Sequence, residues 1–121
     1  MKIILIAGLI LSLSSVAFAG DKTAGELYDE CHKLGKAPSD PKALISDVYC
    51  ATYIDGVIDG NRITSDLYPQ SRFICMPNSG VSVDDAIGIF SKWLQKYPKE
   101  KKTPARSGVL LSLKEKFPCK K

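Results

Sequence analysis

The chain has 121 residues, with 17 lysines and arginines against 13 aspartates and glutamates, and 45% hydrophobic residues. That is enough for one small domain, and a formal charge of +4 is too mild to point to nucleic acid. A single histidine, His32, excludes metal or catalytic sites built on several imidazoles.

Lys2 is the only charge ahead of an apolar run over residues 3–13, and Ala17-Phe18-Ala19 reads as a small-x-small cleavage site. Together they predict a secretory signal peptide over residues 1–19, cut before Gly20. The apolar run is short for a membrane span, which needs ~20 residues, and no basic stop-transfer cluster follows it. The mature part is then one domain, residues 20–121. It is expected to be exported, with no membrane segment once the signal is gone.

In the mature part, Thr23 and Glu26 form a capping box, and Leu27, Cys31 and Leu34 follow at helical spacing up to a stop at Gly35. Asp40 caps the second helix and Pro41 takes its first position, where a missing N–H costs nothing. This helix is predicted over residues 41–63. Its apolar residues fall on three sides: Leu44, Val48, Ala51 and Ile58; Cys50, Ile54 and Val57; Tyr49 and Tyr53. A helix apolar nearly all round is a buried central helix. Residues 64–80, with Pro69, Pro77, Asn78 and Gly80, predict a long loop pinned by Cys75.

Ser82 caps the third helix, with Asp84 and Asp85 in its first turn. Val83, Ala86, Ile87, Phe90, Trp93, Leu94 and Tyr97 cover one face, and Ile89 sits at the edge of the polar side. Pro98 ends it. Thr103 and Pro104 are expected to cap and open a fourth helix with Val109, Leu110, Leu113 and Phe117 inside and Leu111 outside. The whole predicts an all-α bundle of about four helices.

Cys31, Cys50, Cys75 and Cys119 all lie in the exported part, and an even count there implies disulfides. No pair has the close spacing of a metal site, so no metal is expected. Four cysteines allow three connectivities, and the sequence does not choose strictly among them. We favour Cys31–Cys50 and Cys75–Cys119.

The stretch Tyr53-Ile54-Asp55-Gly56-Val57-Ile58-Asp59-Gly60 repeats an Asp-Gly pair after one helical turn. Asp55 and Asp59 share a side with Arg62, and Asp59 is spaced to pair with it. Gly56 and Gly60 lie on the stripe of Tyr49 and Tyr53. Glycine inside a helix costs about 1 kcal/mol against alanine, so two of them imply close approach of a neighbour. The repeat is therefore read as a helix-packing device and not as a pair of catalytic carboxylates. No nucleophile–base set, phosphate loop or HExxH motif is present either. A binding module is expected, with no enzymatic activity and no cofactor.

The succession of a cysteine in the first helix, "CATYIDGVIDG", "CMPNSGVSVDDAIGIFSKWLQKYP", a Pro-led final helix and "KFPC" resembles the Rap/Tai family of type VI secretion immunity proteins. The likeness runs over about residues 27–119. It implies a periplasmic all-helical protein, often a homodimer, that binds and blocks a class-four Tae peptidoglycan amidase. It also implies a helix and a protruding loop laid against that enzyme's cleft. The exposed candidates here are Ile89, Lys92 and Lys96 on the third helix and Lys99, Glu100, Lys101 and Lys102 in the loop 98–104. The competing expectation is an HdeA-like acid-stress chaperone of the periplasm. Such a chaperone needs clustered carboxylates whose protonation loosens the fold, and here bases outnumber acids.

Overall fold

The structure, a computed structural model, describes residues 20–33 and 39–120. The proposed signal segment and the expected stop at Gly35 lie outside the described residues. Helix α1 spans Ala24–Cys31, α2 Pro41–Leu67, α3 Val83–Lys96 and α4 Ala105–Lys116. Short 3-10 turns, Pro69–Ser71 and Pro98–Lys102, follow α2 and α3. The described residues form an all-α bundle with no named strand, as expected; one isolated bridge joins Thr23 to Pro104.

Three of the four helix starts follow their sequence signals. Thr23 Oγ1 accepts from the Glu26 N–H at 3.2 Å, and the Glu26 carboxylate accepts from the Thr23 N–H at 2.7 Å. The Asp40 carboxylate takes the Lys42 N–H at 2.9 Å, and Ser82 Oγ takes the Asp85 N–H at 3.1 Å. Each satisfies a backbone donor that the first turn leaves without a partner.

The start of α4 differs. Thr103 donates its hydroxyl to the Glu100 carbonyl at 2.7 Å and makes no cap. Instead Ala105 N–H donates to the Lys22 carbonyl at 2.7 Å, while Ala24 N–H donates to the Thr103 carbonyl at 2.8 Å. The first turns of α1 and α4 thus supply each other's acceptors across the bundle.

Helix α2 runs four residues beyond its expected end. Thr64 folds its hydroxyl onto the Gly60 carbonyl at 2.9 Å and stays helical. The helix stops only at Tyr68, the residue before Pro69, where the proline ring disfavours helical backbone. Nor is α2 enclosed on all sides. Ala43, Ser46, Cys50, Ile54 and Ile58 form its one buried face, whereas Leu44, Ile45, Val48, Ile63 and Leu67 are all more than half exposed.

The core joins Leu27 of α1, Ile54 and Ile58 of α2, Ile74, Phe90 and Leu94 of α3, and Val109 and Leu113 of α4. A side chain at Gly108 would meet Ala24 Cβ at 3.0 Å and Phe90 Cε2 at 3.2 Å. The close approach that the sequence places at Gly56 and Gly60 therefore occurs at Gly108. Both α2 glycines face open space within this chain. Both favoured disulfides are present: Cys31–Cys50 ties α1 to α2, and Cys75–Cys119 ties the loop before α3 to the end of the chain.

Candidate binding surfaces

Helices α3 and α4 frame two open grooves. The first, about 620 Å³, is lined by Val81, Ile89, Trp93 and Phe117, with Lys92, Lys96 and Lys116 on its edges and Asp84 and Asp85 at its far end. The second, about 630 Å³, is lined by Phe73, Trp93, Tyr97, Leu111 and Lys114. Trp93 and Glu115 border both. Lys96 Nζ donates to Glu115 Oε1 at 2.8 Å, so this ion pair stands between the two grooves. The lysine holds the Glu115 carboxyl below its usual range, and the carboxylate raises Lys96 in return. Lys96 Nζ also lies 4.9 Å from the Tyr97 ring centre, and Lys114 Nζ 4.2 Å from that of Phe73. Such contacts hold a cationic rim over an aromatic floor.

Of the candidate contact residues, Ile89, Lys92 and Lys96 come together in the first groove, and Glu100 borders the second. Lys101 is turned elsewhere. Its stem packs on α1, 3.2 Å from where a Gly25 side chain would begin, so only glycine fits there easily. Lys99 and Lys102 are exposed on the 3-10 turn and border neither groove. Sequence reasoning missed Phe73, Trp93, Tyr97, Lys114 and Glu115. Trp93 was assigned to the core, and it is nearly buried, but its edge forms the floor of both grooves. The one usable signal was its place at the boundary of the apolar face of α3.

The outer face of α2 is the second surface. Ile45, Tyr49, Thr52, Gly56, Ile63 and Leu67 recur at helical spacing on the side opposite Cys50 and Ile54, and all are exposed. Tyr49 does not pack inward as expected. It stacks on Tyr53 with ring centres 5.9 Å apart, and Lys22 Nζ lies 4.1 Å from its own centre. Tyr53 is the member that reaches the core, and burial pushes its hydroxyl pKa up. Asp55 and Asp59 are exposed, and no ion pair joins Asp59 to Arg62.

His32 is occupied structurally. Its ring stacks on Tyr28 at 4.0 Å, and Nδ1–H donates to the Tyr28 carbonyl at 2.6 Å. All four cysteines are oxidised, so neither histidine nor a thiol is placed as a base–nucleophile pair. Among the described residues no three His, Cys, Asp or Glu side chains are grouped to hold a metal. No described helix is long and apolar enough to cross a membrane.

Fold and surfaces together define a small, disulfide-stapled helical bundle with two exposed candidate surfaces. Residues 23–119 match the model of the Rap1a immunity proteins. The chain belongs to this family of immunity proteins, whose members bind a toxin as their partner. No curated protein and no solved structure matches the chain.

Proposed function

We propose that the protein acts in the periplasm as the inhibitor of a peptidoglycan amidase delivered by type VI secretion, and that it does so by occlusion without chemistry of its own. The family match over residues 23–119 carries this reading. It begins just past the proposed cleavage point, so the family domain and the mature chain coincide. The α3–α4 face supplies the contact surface. Ile89, Lys92 and Lys96 lie in one groove, and Glu100 of the turn Pro98–Lys102 borders the other.

The outer face of α2 is proposed as the interface of a homodimer. Isolated exposed apolar residues are ordinary, but Leu44, Ile45, Val48 and Tyr49 cluster at one end of α2 and Ile63 and Leu67 at the other, and such clusters mark an interaction site. With no side chain at Gly56 or Gly60, a second helix could come close at that point.

Three measurements test the proposal. Cells that carry the amidase in the periplasm survive when the full chain is expressed and die when residues 1–19 are deleted. Calorimetry with the purified mature chain gives tight binding that Ile89→Asp weakens by several kcal/mol, since it buries an unpaired charge. Sedimentation shows a dimer that Ile45→Asp converts to monomer. Full protection by the export-deficient form, or binding of acid-unfolded clients with no binding of the amidase, would overturn the proposal.

A further inference from the structure

Charge is divided sharply along the mature chain. Residues 92–121 carry ten lysines and arginines against two glutamates, whereas residues 20–91 carry six against eleven aspartates and glutamates. The net values are +8 and −5, and the modest total conceals them. The two blocks meet where Arg106 pairs with Asp21 and where Asp84 and Asp85 line the first groove with the lysines, and otherwise occupy different elements. The acidic block includes α1 and α2, with Asp55, Asp59 and Asp66 beside the apolar stripe of α2. The basic block is the C-terminal part of α3, the turn Pro98–Lys102 and α4, and its Lys92, Lys96, Lys114 and Lys116 rim the two grooves. Of these four, only Lys96 forms an ion pair among the described residues.

We propose that the α3–α4 face docks an acidic segment of a partner protein, whose carboxylates meet Lys92, Lys96 and Lys116 while an apolar side chain enters over Trp93. The proposal rests on the immunity reading above and names the chemistry that the toxin presents at the contact. Two features argue for a protein segment over an anionic bilayer. The aromatic side chains are set into concave grooves, which a flat headgroup layer cannot fill. The lysines flank those grooves on both helices, as needed to bracket an extended or helical segment. An opposed charge pattern also steers encounter and fixes orientation. It would turn the acidic α2 side away from an acidic partner.

Glu115 has a defined part in this arrangement. Its carboxylate already occupies Lys96 and stands between the two grooves. An incoming carboxylate must compete with it. Removing its charge therefore strengthens binding, the opposite of what a general loss of structure would do.

The test uses the disulfide-intact mature chain, without any amidase, so its failure leaves the immunity reading standing. The probe is a short labelled peptide alternating glutamate with phenylalanine. Its controls are the same peptide with lysine for glutamate and vesicles of phosphatidylglycerol. Amide shifts on addition of the acidic peptide fall on α3 and α4 and spare α2. Affinity falls steeply with added salt. Lys92→Glu with Lys96→Glu weakens it about tenfold or more, and Glu115→Gln tightens it several-fold at unchanged circular dichroism. Equal binding of the basic peptide, shifts centred on α2, an unchanged or weaker Glu115→Gln, or binding to the vesicles in place of the peptide would each overturn the proposal.

Discussion

The outer face of α2 and the α3–α4 face both leave apolar side chains in water, yet they are built differently. On α2 the side chains stand on a single convex helix, interrupted by two glycines and flanked by aspartates. On α3–α4 they lie at the bottom of two grooves with lysines above them. A convex stripe buries well against a copy of itself laid alongside, because both partners are straight and alike. A groove needs something narrower than a helix pair to fill it. Exposed hydrophobic side chains alone would rank α2 first, whereas curvature and charge decide what kind of partner each face suits.

The glycines give the sharpest way to break that comparison. Gly108→Leu, beneath the α3–α4 side, forces Ala24 or Phe90 to move and should destabilise the fold by about 1–3 kcal/mol or more. Gly60→Ala meets nothing within this chain and should stabilise the isolated subunit by up to about 1 kcal/mol through helix propensity. The same change should weaken the dimer if a partner helix lies there. Chemical denaturation of both variants, at low and high protein concentration, reads both effects. A Gly60→Ala subunit less stable than the parent would show a contact on that face that the open space around it denies.

Acid should act next, and on the α2 side. Hydrogen bonding from Ser46 first, then from Lys33 and Lys22, lowers the Glu30 carboxyl from its ordinary value to about 2. A carboxyl depressed in the folded state stabilises the fold above its unfolded pKa, near 4.5, and loses that contribution as pH falls towards 2. Glu30 stands where α1 meets α2, so the loss loosens that junction. Melting temperatures between pH 5 and pH 2 should fall less steeply in Glu30→Gln than in the parent, from a lower start; parallel curves would remove Glu30 as the cause.

The smallest effect belongs to the bridge between the grooves. Lys96 and Glu115 are both exposed, and an exposed pair adds little to stability because water and salt screen it. Lys96→Ala should leave the unfolding midpoint nearly unchanged while binding at the α3–α4 face falls. A large loss of stability would mean that the pair holds the two helices together and that any binding defect is secondary.

Much of the local structure was legible beforehand, because it depends on neighbours in the chain. The cap at Thr23 with Glu26, the Asp40-Pro41 start and the apolar face of α3 each rest on contacts within four residues. The face of α2 was not legible in the same way. Val48 and Ile58 have the same character in the sequence, and only the positions of α1, α3 and Ile74 decide that Ile58 is covered and Val48 is not. Tyr49 and Tyr53, one turn apart, divide between solvent and core for that reason.

From the sequence alone come the helical class, the cysteines available for two bridges, the family pattern and the division of charge at about residue 92. These are properties of composition, spacing and local backbone preference, which the chain carries wherever it folds. Tertiary structure alone decided that Gly108 is the point of close approach, that α4 begins on the carbonyl of Lys22, and that Trp93 is shared between two grooves. Each of these depends on which distant surface arrives at a residue. Local propensity sets where a helix begins and ends, but the helices packed beside it determine which of its sides remains free to bind.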